Sequence, residues 1–164
     1  MAQRLVVADA SPLIGLAAAD SFDLLRDLFG SVTITVEVYD EIAAGQGLPG
    51  ADELRAAITE GWLRVVPAPA DNTAFSELGS GEASTLAAAI DHNGPCLVLM
   101  DDAVGRARAQ ALGLTVSGAA GVLLASRRAG LIDKVRPRLE LLMARGFRIS
   151  PEIAQAILAE AGEV

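Results

Sequence analysis

Two aspartates stand side by side at Asp101-Asp102, directly after the apolar run Leu97-Val98-Leu99-Met100. A third, Asp9, closes a second short run, Leu5-Val6-Val7-Ala8. A carboxylate at the end of a buried run is costly unless it is paired or bound to a metal. Two such runs side by side would bring three carboxylates together, a group that a divalent cation suits. Glu41 and Glu82 extend the set. Glu41 sits beside Val38 and Ile42 at helical spacing, on a segment whose outer face already carries Glu37 and Asp40. Glu82 opens a helix in line with Leu86 and Ile90, so it leans inward, and the helix dipole favours a carboxylate there.

The elements that must position these acids follow from apolar runs and their punctuation. Leu97–Met100 reads as a strand buried on both faces, the kind a parallel sheet uses, and Leu5–Asp9, Val32–Thr35, Trp62–Val66 and Leu114–Ser117 read as further strands. Helical segments lie between them: from Ser11-Pro12, over 22–29, 36–42, 51–60, 82–92, from 103 to Gly113, and over 119–129. Ser11 is expected to cap the first of these, with Pro12 at its first position. Gly30, Gly61, Gly94 and Gly113 each stand between a helix and a strand, where a left-handed helix end is expected. Residues 131–145 read as largely helical, broken or restarted at Pro137, and Ser150-Pro151 caps a last helix. The alternation predicts an α/β fold with a central parallel sheet and helices on both faces. It also places the Asp side chains at the carboxyl ends of strands, where open α/β sheets bind ligands.

At 164 residues the chain is one domain by size, 1–164, with the helices from about 131 as an extension. The chain has no apolar run of ~20 residues and no signal-peptide pattern, which predicts a soluble, cytoplasmic protein away from membranes. Its single cysteine, Cys96, excludes an internal disulfide and a cysteine-based zinc cage. The net charge of −8 argues against broad non-specific nucleic-acid binding. The charge is unevenly spread, with 4 basic and 14 acidic residues over 1–100 but 9 basic and 7 acidic over 101–164. An acidic site beside a locally basic flank that tracks phosphates fits that division.

Val7-Ala8-Asp9-Ala10-Ser11-Pro12-Leu13-Ile14 resembles the opening motif of the PIN-domain nucleases, the fold of VapC-type toxins. Val38-Tyr39-Asp40-Glu41-Ile42 resembles their second motif, Gly81-Glu82-Ala83 their third, and Asp101-Asp102-Ala103-Val104-Gly105-Arg106 their fourth. The tail, Gly118 to Leu123 and Gly146 to Ser150, is similar to a bacterial and archaeal branch of that superfamily. The resemblance implies a PIN-like three-layer α/β/α fold and a metal-dependent endoribonuclease. It implies Asp9, Glu41, Glu82 and one or both of Asp101 and Asp102 as ligands of Mg²⁺ or Mn²⁺, with Ser11 orienting a water. RNA as substrate, a homodimer, and a small antitoxin protein as partner of a type II toxin–antitoxin pair are further implications.

Cation-assisted hydrolysis suits this residue inventory. A bound divalent cation makes water more acidic and holds the attacking and leaving oxygens of a phosphodiester. The chain has one histidine, His92, so the histidine pair used by metal-free ribonucleases is lacking within a protomer. Arg106 and Arg108 are the candidates for substrate phosphate, but residues two apart do not share a helix face, so at most one points at the scissile group. Val122, Leu123 and Leu124 with Leu131 and Ile132 read as core or as a dimer contact. The rival reading is a non-catalytic PIN-like interaction or RNA-binding module, which the low basic content favours. A receiver-type phosphoacceptor domain fits less well, since the one lysine, Lys134, is not near a late strand.

Overall fold

The computed structural model describes residues 4–45, 47–70 and 73–164. Among them five short strands form one parallel sheet: β1 (Leu5–Ala8), β2 (Val32–Thr35), β3 (Leu63–Val66), β4 (Cys96–Leu99) and β5 (Thr115–Ser117). Their order is β3-β2-β1-β4-β5. β1 and β4 lie in register, with Leu5 opposite Cys96 and Ala8 opposite Leu99. The chain therefore leaves β1 toward one edge and later returns to build the other. The reversal between β1 and β4 is the switch point at which α/β sheets open a crevice.

The near-continuous apolar runs serve two faces at once. Val6, Ala8, Leu97 and Leu99 join the larger core, against α1 (Ala10–Ala18), α2 (Leu24–Phe29), α3 (Val36–Ala43), α4 (Ala51–Glu60) and α7 (Ala119–Arg128). Val7, Val98 and Met100 alternate with them and pack on α5 (Ser80–Asp91) and α6 (Ala103–Ala111). The result is the expected three-layer α/β/α arrangement. Alanine lets α5 lie close: Ala83, Ala87 and Ala89 are buried beside Leu86. Ile90, in line with Glu82 and Leu86, has already left the core at 46% exposure. The last helices, α8 (Arg136–Ala144) and α9 (Pro151–Glu160), add Leu139, Leu142 and Leu158 to the larger core.

Four local expectations are corrected. Ser11 does not cap the first helix: α1 begins at Ala10 and Asp9 is its N-cap residue, so Ser11 and Pro12 lie in the first turn, where the missing proline N–H costs nothing. Gly30, Gly61 and Gly113 take positive φ as expected, but Gly94 does not, because α5 ends in an extended residue, His92, and needs no left-handed step. The segment before Pro137 is not helical, and α8 starts at Arg136 with Pro137 in its first turn. Of the two readings, core or dimer contact, Val122, Leu123, Leu124 and Ile132 are core, buried within this one chain, which corrects the dimer contact, while Leu131 is 39% exposed. Between β3 and α5 the described residues include a 3-10 turn, Thr73–Phe75, and residues 71–72 lie outside the described residues. No helix among the described residues is long and apolar enough to cross a membrane.

Candidate active site

Asp9 lies at the centre of the crevice. It follows β1 directly, and its N–H donates to the Leu99 carbonyl at 2.9 Å, which pins it to the end of β4. Although it is the N-cap residue of α1, its side chain does not cap the helix. The residue is 2% exposed. Burial pushes its pKa up to about 7; the Ala10 N–H opposes the rise, and the charges of Glu82, Glu41 and Asp102 add to it. The structure thus gathers four of the expected acids into one field: Asp9, Glu41, Glu82 and Asp102.

Each of the other three arrives on a helix. Glu41 comes from α3, whose start is fixed by the Thr35 hydroxyl accepting the Val38 N–H at 3.3 Å. Its pKa is raised by partial burial and then by Glu82. Glu82 lies in the first turn of α5 and folds back over the N-cap residue Gly79, its Oε2 only 2.5 Å from where a Cβ on that glycine would stand. Asp102 is the N-cap residue of α6 and accepts the Gly105 N–H through Oδ2 at 2.8 Å.

Asp101 and Asp102 part company. Asp101 Oδ1 accepts the Ala119 N–H at 3.0 Å, so this carboxylate closes the start of α7. Burial raises its pKa against the pull of that N–H and of Arg106, and Asp101 is not among the charges acting on Asp9. Arg106 and Arg108 diverge as their spacing requires. Arg106 donates to the Met100 carbonyl at 3.1 Å. Arg108 binds the Ala74 carbonyl at 3.2 Å, pairs with Glu77 at 3.4 Å and lies 5.4 Å over the Phe75 ring, clamping α6 to the 3-10 turn. Ser11, in the first turn of α1, follows Asp9 by two residues and is half-buried.

Gly81 is a site feature that composition and spacing did not single out. A Cβ there would stand 3.0 Å from both Asp9 Oδ1 and Glu41 Oε2, so its bare backbone keeps open a cradle between two carboxylates. The buried Thr35 and Ser84, hydrogen-bonded at 2.8 Å, were likewise missed. The signal that could have found Thr35 is its place at the end of a strand just before a helix, a cap position.

The donor set fits a hard divalent cation. All four groups offer oxygen, and among the described residues none of them is in an ion pair with Lys or Arg. No three acidic, histidine or cysteine side chains among the described residues close on one point as a full ligand shell. Mg²⁺ does not require that, since it keeps several waters and takes one or two carboxylates.

No curated protein matches the sequence significantly. A family model of the PIN domain matches residues 5–163, nearly the whole chain. With a parallel sheet whose central switch point carries four acids, the chain belongs to the PIN-domain family and has its nuclease-type fold.

Proposed function

We propose that this protein is a metal-dependent endoribonuclease and the toxin of a type II toxin–antitoxin pair. The observation that carries the reading is Asp9, buried at the sheet's switch point beside three further carboxylates that, among the described residues, have no cationic side chain paired to them. Asp9, Glu41, Glu82 and Asp102 are the residues from which Mg²⁺ or Mn²⁺ would take its one or two carboxylate ligands. Such a cation, when bound, supplies an acidified water and positive charge over the scissile phosphate.

The chain's own contribution is placement. Asp9 is anchored to β4 through its backbone, so its carboxylate is presented at one fixed depth. Gly81 leaves room for a group between Asp9 and Glu41. With one histidine, a histidine pair is lacking within a protomer, and the acids suit the route in which water attacks and the 3′-oxygen leaves. Cleavage of an RNA oligonucleotide should stop with EDTA, return with Mg²⁺ or Mn²⁺, and leave 5′-phosphate and 3′-hydroxyl ends by mass spectrometry. A 2′,3′-cyclic phosphate would overturn the mechanism.

A non-catalytic module is favoured by one observation: Arg106 and Arg108 are both engaged within the chain, in a protein of net charge −8. Cation binding without cleavage of any RNA tested would select that reading. The toxin role rests on the motif resemblance and predicts growth arrest on expression, relieved by Asp9→Asn and by co-expression of the antitoxin. The homodimer rests on the same resemblance, and light scattering at micromolar concentration tests it.

A further inference from the structure

Two buried hydroxyls meet between the elements that carry Glu41 and Glu82. Thr35, the last residue of β2, and Ser84, in the second turn of α5, are both fully buried, and their oxygens are 2.8 Å apart. Thr35 Oγ1 accepts the Val38 N–H, the start of the helix that carries Glu41. Ser84 Oγ donates to the Gly81 carbonyl at 3.0 Å, and Thr85 donates to the same carbonyl at 2.7 Å. With the Ser84 hydrogen on Gly81, the hydrogen between the two hydroxyls must come from Thr35. The bonds then run in one sense, from the Val38 N–H through Thr35 and Ser84 to Gly81.

That chain joins the first turn of α3 to the first turn of α5, and it ends on the residue that separates Asp9 from Glu41. Gly81 is held where its own missing Cβ would stand 3.0 Å from both carboxylates. A buried hydroxyl pair is costly when half satisfied, so this one tolerates a narrow range of helix separations. We propose that Thr35 and Ser84 are positioning residues that set the spacing of Glu41 and Glu82 around Asp9, and so set the affinity of the site for a divalent cation. The inference rests on the cation-site reading given above.

The test is a Mn²⁺ titration followed by electron paramagnetic resonance, with melting curves recorded without metal. Thr35→Val keeps the shape of the side chain but removes the hydroxyl, and Ser84→Ala removes the other partner. Both should bind Mn²⁺ at least about tenfold more weakly than the unaltered protein, the usual cost of losing a group that orients a ligand. Thr35→Ser keeps the hydroxyl but gives up a buried methyl, so it should melt earlier and yet bind Mn²⁺ within about threefold of the parent. If Thr35→Val does not fold, Ser84→Ala decides. Lower melting temperatures with unchanged Mn²⁺ affinity would overturn the positioning role and leave the site standing. Absence of Mn²⁺ binding in the unaltered protein would overturn the site itself, and the positioning role with it.

Discussion

Asp101 accepts the N–H of Ala119, eighteen residues further along the chain, while its neighbour Asp102 acts on Asp9 across the crevice. Adjacent residues with the same side chain thus hold different posts. Asp101→Ala should leave the α7 start without its acceptor and cost about 1–2 kcal/mol of stability, with Mn²⁺ binding kept. Asp102→Asn should do the reverse, since asparagine still caps α6 but brings no charge to Asp9. Chemical denaturation and Mn²⁺ titration of the two variants check the division.

The raised pKa of Asp9 makes metal-free stability depend on pH. Between about 4 and 7 the folded protein keeps a proton on Asp9 that the unfolded chain releases, so stability is lost as pH rises through that window and levels off above it. The largest effect is roughly 4 kcal/mol, from a shift between 3.8 and about 7 at about 1.4 kcal/mol per unit. Urea midpoints at pH 5 and pH 8 in EDTA should differ for the parent protein, and Asp9→Asn should flatten the difference. The same variant should be inactive as a nuclease. Equal pH dependence in both proteins would remove Asp9 as the titrating group.

Gly81→Ala separates the needs of the helix from those of the site. Within α5 alanine is the better helix former by about 1 kcal/mol. The new Cβ would nevertheless press on Asp9 Oδ1 and Glu41 Oε2. The expected outcome is a protein at least as well folded by circular dichroism, with Mn²⁺ affinity and cleavage reduced tenfold or more.

Glu163 closes the far side of the fold. Its carboxylate accepts the N–H groups of Val135 at 2.7 Å and Arg136 at 3.0 Å, at the start of α8. Glu163→Ala should cost about 1 kcal/mol through the lost cap, lower the melting temperature by a few degrees, and leave Mn²⁺ affinity unchanged. A change in affinity would show that α8 and α9 communicate with the crevice.

The sheet was legible in the sequence because both-face burial writes strands as plain apolar runs. Leu97 to Met100 and Leu5 to Ala8 announced themselves in that way, with Asp9 and the Asp pair at their ends. The division of labour between Asp101 and Asp102 was not legible, since it depends on an N–H that arrives from a later helix. Gly81 and the Thr35–Ser84 bond were hidden for the same reason: spacing along α5 says nothing of how close α3 comes. Ser11-Pro12 carried a helix-start signal, but Asp9 already occupied the N-cap position, and the start moved one residue upstream of Ser11. For Val122 to Leu124 the sequence left core and dimer contact open, because their cover in α2, α8 and α9 comes from distant parts of the same chain.

The neighbouring of β1 and β4 sets a condition on synthesis. Leu5 to Ala8 pair with Cys96 to Leu99, so some ninety residues must be made before the central pairing can close. Asp9 and Glu41 are translated early, but the crevice wall that Asp9 is hydrogen-bonded to, and Asp102 beyond it, come only with that pairing. A nascent chain shorter than about 100 residues therefore holds Asp9, Glu41 and Glu82 without Asp102 and without the crevice. A ribosome making this protein emits more than half of its length before the chain can assemble the crevice at all.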